Sequence, residues 1–209
     1  MKKIILFASA LLMSVQAQAA IVGVTGQGVQ IAPTVVEEDG VLSTDGNGRY
    51  VQNGFDEQQG VFLGSALDAD AGVGSIAGNQ YVNSHLIFLN TKGNTSASTT
   101  AAWEFDGKIL GIMSDTGGNL MEASDPLLAY ANYFTNTGGS SAFNLAGFES
   151  NDSYSGLGTN FLTVISNVRE PGDWIRVVTV SEVPVPAALW LFAPALMGFL
   201  GLRRKSKTA

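Results

Sequence analysis

The sequence predicts an all-β fold, an antiparallel β-sandwich or jelly roll, from three observations. Short runs rich in Val, Ile, Phe, Trp and Thr recur between clusters of Gly, Asn, Asp and Ser. Between those runs no amphipathic helix of ordinary length can be traced. At two places a reverse-turn signature separates two such runs: Asp106-Gly107 and Pro171-Gly172. No internal repeat is long enough for a solenoid or a propeller.

In chain order, Ile21 to Glu38 is rich in Val, Gly and Thr and is expected to hold one or two edge strands. Ser43 to Gly48 is a loop, and Arg49 to Gln52 and Gln59 to Leu63 are short strand candidates. Leu67 to Gly78 is a second loop of small residues. Tyr81 to Leu89 is a strand, with Val82, Ser84, Leu86 and Phe88 alternating against Tyr81, Asn83, His85, Ile87 and Leu89. Its last four residues are apolar on both faces, which places that end at the centre of a sandwich or beneath a neighbouring element.

Lys92 to Thr100 is a polar loop. Ala101 to Phe105 and Lys108 to Met113 flank Asp106-Gly107, a pair suited to a type I′ hairpin turn. Ser124-Asp125-Pro126 reads as an N-cap followed by Pro at the first helical position, so Leu127 to Tyr133 is expected to make one or two helical turns. The Gly/Ser loop Thr137 to Ser141 leads into a strand-like Phe143 to Glu149. Phe161 to Val168 alternates Leu162, Val164 and Val168 against Phe161, Thr163 and Ile165; after a type II turn at Glu170 to Asp173, Trp174 to Val180 returns.

Both ends read as targeting segments. Lys2 and Lys3 precede an apolar stretch from Ile4 to Val15, and Ala17-Gln18-Ala19 is a small-x-small cleavage site. This signal peptide spans residues 1–19, and cleavage would leave Ala20 first. With no Cys in the chain a lipoprotein anchor is excluded, and no disulfide staples the domain. At the other end Val183-Pro184-Val185-Pro186-Ala187 is stiff and extended, because each proline fixes its own φ and restricts the residue before it. The apolar run from Ala187 to Leu202 has 16 residues and is broken by Pro194, Gly198 and Gly201. A membrane-crossing helix needs about 20 residues. Arg203, Arg204 and Lys205 follow and would hold that end in the cytoplasm. These features describe a temporary membrane stop, against the plainer alternative of a lasting C-terminal anchor.

Residues 20–182 form the expected β-sandwich domain. All 18 acidic residues of the chain lie there with five basic ones (Arg49, Lys92, Lys108, Arg169 and Arg176), a formal net charge of −13. Such a surface repels nucleic acid and anionic lipid and attracts divalent cations.

Candidate chemistry in that domain is sparse. His85 is the only histidine, which excludes a two-His zinc site and leaves a Ser–His triad only with His85 as base. Within the expected strand Tyr81 to Leu89 it reads as a structural imidazole. Glu104 and Asp106, two apart on a strand, would project to one face about 6–7 Å apart, near the spacing of paired glycosidase carboxylates. Glu104-Phe105-Asp106 resembles the opening of the Glu-x-Asp-x-x-Glu motif of laminarinase-like jelly-roll glycosidases, but Ile109 stands where the third acid belongs. Trp103 and Phe105 then read as core. For calcium, Asp68-Ala69-Asp70 fails the EF-hand template, because Val73 and Asn79 occupy the Gly and Glu positions. A looser loop site using Asp68, Asp70 or Asp45 and Asn47 is weighed against a solvated acidic loop, which is the preferred reading, and no cofactor is otherwise expected. Trp174, Tyr133 and Tyr154 are weighed as a sugar-stacking platform against a core role, and Arg176 is expected to pair with a carboxylate.

The tail resembles the PEP-CTERM sorting signal of Gram-negative bacteria, most closely its Val-Pro-x-Pro-Ala variant, with Val185 where Glu usually stands. The resemblance implies processing by an exosortase, a membrane cysteine transpeptidase, with cleavage near the proline motif and only transient membrane contact. Trp103 to Gly111, Ser124 to Leu127, Gly147 to Glu149 and Pro171 to Arg176 are similar to stretches in ectodomains of exosortase-dependent surface proteins. That similarity implies a cell-surface or extracellular-matrix protein linked to exopolysaccharide, structural or adhesive and not an enzyme. The alternatives are a calcium-dependent carbohydrate-binding module and a jelly-roll carbohydrate-active enzyme.

Overall fold

The computed structural model describes residues 20–34, 44, 46–70, 74–91, 95–131, 147–169 and 172–181, all within one compact unit, Gln18–Glu182. Its strands are β1 (Ile21–Gly26), β2 (Gly28–Gln30), β3 (Gln52–Asp56), β4 (Val61–Leu63), β5 (Leu67–Asp68), β6 (Ser75–Ile76), β7 (Gln80–Leu89), β8 (Ser96–Phe105), β9 (Ile109–Met113), β10 (Ser153–Ser155), β11 (Phe161–Arg169) and β12 (Asp173–Val180). Helix α1 (Asn119–Leu128) lies between β9 and β10. The predicted signal and sorting segments, with Ala17, Ala19, Val183, Pro184, Val185, Pro186, Ala187, Arg203, Arg204 and Lys205, lie outside the described residues, as does Asp45. Among the described residues no helix is long and apolar enough to cross a membrane.

Two main sheets make a β-sandwich-like arrangement. The smaller has the order β1-β8-β11-β10 and is antiparallel throughout. The larger runs β2-β3-β7-β12-β9, with β4 paired to β7 beyond the end of β3. It is mixed, because the edge strand β2 runs parallel to β3. As the sequence predicts, β1 and β2 are edge strands. The loop expected at Leu67 to Gly78 instead contains the small β5–β6 hairpin.

The core has two parts, one on each face of the larger sheet. Between the sheets lie Ile21, Trp103, Phe105, Leu162 and Val164 from the smaller one and Ile87, Ile109, Ile112, Ile175 and Val177 from the larger. On the opposite face Leu86, Phe88, Trp174 and Val178 pack with Met121 and Leu128 of α1 and with Ile76 of β6. Strands β7 and β12 are therefore covered on both sides, as the doubly apolar end of β7 predicts. Burying each large side chain contributes about 1.5–3 kcal/mol. Strand β11 keeps the predicted faces, Leu162, Val164 and Val168 being buried while Phe161 and Ile165 are exposed. Trp103 leaves no room opposite it: a Cβ on Gly54 of β3 would sit 2.6 Å from the indole ring. Its Nε1 donates to the buried Gln52 Oε1 (3.0 Å), and Gln52 in turn donates to Val164 O of the other sheet.

Both expected hairpins are instead crossings between sheets. Strand β8 belongs to the smaller sheet and β9 to the larger, so Asp106-Gly107 turns a corner. Neither residue adopts positive φ, which excludes a type I′ turn. The glycine is needed because a Cβ at Gly107 would collide with the Val180 carbonyl. Strands β11 and β12 likewise lie in different sheets, although Gly172 does take the positive φ, 112°, that a turn glycine supplies. The helix is also displaced from its predicted place. It ends at Leu128, one residue after the expected start at Leu127, and Pro126 lies in its last turn. The N-cap residue is Gly118, which has no side chain to offer; the Asp115 carboxylate takes that part from outside the helix, accepting from the backbone N–H groups of Asn119 (2.7 Å) and Leu120 (3.0 Å).

Candidate functional site

Arg176 explains why Ser124-Asp125 does not start a helix. The Arg176 side chain is buried beneath α1, and its guanidinium forms a fork with Glu57: Nε to Oε2 at 2.8 Å and Nη2 to Oε1 at 2.9 Å. Nη2 also donates to Asp125 Oδ1 (2.7 Å), while Nη1 donates to Ser124 Oγ (2.6 Å) and Met121 O (3.0 Å). Ser84 Oγ completes the group by donating to Glu57 Oε2 (2.6 Å). The two carboxylates hold the guanidinium pKa above its usual range despite burial, which opposes the charge. Asp125 goes the other way: burial outweighs Arg176 and pushes its pKa up to about 6. The expected Arg176–carboxylate pairing is thus met twice, and its chemical effect is to clamp α1 to the larger sheet.

His85 occupies an Asp–His–hydroxyl relay. Its Nδ1 lies 2.7 Å from Asp56 Oδ1 and its Nε2 lies 3.0 Å from Thr179 Oγ1. This is the order of a hydrolase triad, but His85 and Thr179 are both 0 % exposed, so a substrate has no route to the hydroxyl. Asp56 is further engaged by the Ile21 backbone N–H (2.9 Å). The imidazole joins β3, β7 and β12 and packs against Phe105 with ring centroids 4.8 Å apart. Its role is structural, as the strand position suggests.

The other sequence candidates are dispersed. Glu104 packs over Gly23 of β1. Asp106 lies in the corner near His85 and Asp56; partial burial raises its pKa, which His85 lowers and Asp56 raises further. Asp68 is exposed in β5, and Asp70 Oδ2 accepts from the backbone and hydroxyl of Ser114 (2.9 and 2.5 Å). Trp174 is core, stacked on Phe88 at 5.1 Å. Tyr154 is half-buried beside Phe148, and burial pushes its phenol up to about 12. The exposed aromatic pair is instead Phe62 with Tyr81, 5.1 Å apart, which β4–β7 pairing brings together.

One carboxylate cluster stands apart from these, and sequence reasoning missed it. Glu149, Asp152 and Asp173 each present a carboxylate oxygen, all within 4.8 Å of one another. A turn in which the Asp152 backbone N–H donates to Glu149 O (3.1 Å) sets the first two. Asp152 is oriented by two backbone donors, Asn167 N–H to Oδ1 (2.7 Å) and Glu149 N–H to Oδ2 (2.8 Å). Asp173 opens β12 opposite Leu89 of β7 and is only 2 % exposed. Its Oδ2 is buried with no hydrogen-bond partner. Burial first, then the Asp152 and Glu149 charges, push its pKa up to about 8, although Ser166 and the Asn167 backbone stabilise the ionised form. Glu149 is raised as well, by burial and by Asp152. The available signal was the polar turn Glu149-Ser150-Asn151-Asp152; Asp173 lies 21 residues further on, and only the crossing from β11 to β12 delivers it.

Residues far apart in the chain thus meet in pairs in space: Ser124 and Asp125 against Arg176, and Glu149 against Asp173. No protein-family model, curated protein or solved structure matches the chain.

Proposed function

We propose that the chain is an exported protein that an exosortase sorts to the cell surface or extracellular matrix, where it serves a structural or adhesive role linked to exopolysaccharide. The observation that carries this reading is the tail: Pro184-Val185-Pro186, a 16-residue broken apolar run, then Arg203-Arg204-Lys205. Such a run is too short and too interrupted to be a durable span, and the basic cluster would pause it in the membrane with the domain outside. The N-terminal signal peptide agrees, and the domain's strong negative charge suits a soluble extracellular role. The buried Arg176 and His85 networks suit a scaffold, since both spend their polar groups on holding elements together.

A second reading, a calcium-dependent carbohydrate-binding module, draws on the Glu149–Asp152–Asp173 cluster and on the exposed Phe62–Tyr81 pair. The first reading is tested by expressing the chain with and without an exosortase and following the domain by fractionation. Release into the medium should require the enzyme and should be lost when Pro184 and Pro186 are both changed to Ala. Release that ignores both the enzyme and the prolines removes the proposal.

A further inference from the structure

We propose that Glu149, Asp152 and Asp173 form a calcium site that ties the loop before β10 to the first residue of β12. This goes beyond the sorting reading and does not depend on it. It is also distinct from Asp68, Asp70 and Asp45.

Geometry, a buried unpaired oxygen and ligand type support the site. Calcium binds oxygen at about 2.3–2.6 Å, so two ligands on opposite sides of one ion stand at most about 5 Å apart. The three carboxylate oxygens here all lie within 4.8 Å of one another, so a single point lies within about 2.8 Å of all three, and a shift of a few tenths of an ångström brings them into calcium range. Independently, Asp173 is 2 % exposed and its Oδ2 has no hydrogen-bond partner. A buried polar atom left unpaired is costly, more so when charged, and native folds rarely keep one without a partner of some kind. A cation supplies that partner and cancels the repulsion among three acids. The ligands are all hard oxygens from carboxylates, and the chain has no Cys, which favours calcium or magnesium over softer metals. Calcium accepts irregular six- to eight-fold coordination completed by water and carbonyls, whereas magnesium demands near-ideal octahedra and keeps most of its water. A loop-and-strand site with one exposed, one half-buried and one buried acid suits the former.

The placement gives the ion a structural task. Asp152 already holds Asn167 of β11, and Asn167 Nδ2 donates to Asn151 O (2.6 Å), so the loop is fastened to the smaller sheet. Asp173 belongs to the larger sheet. An ion shared by Asp152 and Asp173 therefore bridges the two sheets at the end where β11 gives way to β12.

Thermal unfolding of the purified full-length chain tests the site, in EDTA, in 5 mM calcium chloride and in 5 mM magnesium chloride. A site of millimolar or submillimolar affinity should raise Tm in calcium by about 3–6 °C. Magnesium should do much less. Glu149→Gln changes an exposed residue and should fold normally while losing most of the calcium shift. Asp173→Asn should lose the shift entirely and unfold in EDTA no lower than the parent, because a neutral amide of the same shape replaces a buried carboxyl that only a bound ion would hold ionised. Asp68→Asn should keep the full shift. No calcium shift in the parent overturns the site, as does an undiminished shift in Glu149→Gln and Asp173→Asn. An equal response to magnesium overturns the calcium assignment.

Discussion

Arg176 has five N–H donors, and five acceptor contacts take them: two to Glu57 and one each to Met121, Ser124 and Asp125. Full satisfaction is what allows a guanidinium to lie in an apolar core, because an unpaired buried charge would cost several kcal/mol. Asp125 is the weaker partner, and it makes the clamp sensitive to pH. Its folded pKa of about 6 lies above the ordinary value of 3.8, so the folded chain binds this proton more tightly than the unfolded chain does. Stability from this group is therefore greatest in acid, falls as pH rises from about 4 to about 6, and is level above that. Asp125→Asn keeps an oxygen acceptor for Arg176 and removes the titration. Urea unfolding of parent and variant at pH 4 to 7 should show the variant gaining on the parent, by on the order of 2–3 kcal/mol in all. A constant difference across that range would contradict the assignment. The Arg176–carboxylate pairing was legible in the sequence, because a lone cation on a largely apolar strand must have an acid. Which acids was not legible: Glu57 is 119 residues away and Asp125 is 51.

At the scale of elements, side-chain alternation and turn chemistry proved to carry different information. Alternation named the buried face of β11 correctly because one face of that strand is wet. It also marked the end of β7 as doubly buried. Turn residues reported that the chain reverses at Asp106-Gly107 and near Gly172, but they do not say whether the next strand joins the same sheet or the facing one. The glycine itself distinguishes the cases. At a type I′ hairpin tip Asn is a good substitute for Gly, since both accept positive φ. Gly107 does not have positive φ, and any Cβ there meets the Val180 carbonyl. Gly107→Asn and Gly107→Ala should both destabilise by about 1–3 kcal/mol through overpacking. If denaturant unfolding shows Gly107→Asn to be neutral, the corner geometry is wrong. The helix was misplaced for a related reason. Ser124 has the chemistry of a cap, but Arg176 claims its hydroxyl, whereas the carboxylate that does serve the helix start, Asp115, is separated from it by Thr116-Gly117-Gly118, which reads as a break.

For the whole molecule, a doubly covered larger sheet supplies the stability that a domain without disulfides needs from packing. Its acids are distributed by role: Glu57 and Asp125 hold α1, Asp56 holds His85, Asp115 serves the helix start, and Glu149, Asp152 and Asp173 converge at the end of the sandwich. The proposed destination rests on the two ends of the chain and on net charge, independently of those networks. Intact mass of the protein recovered from outside the cell tests it most directly. The account predicts a species that begins at Ala20 and ends within or just beside Val183 to Ala187. Recovered protein that still carries the segment from Leu189 to Arg204 would contradict it.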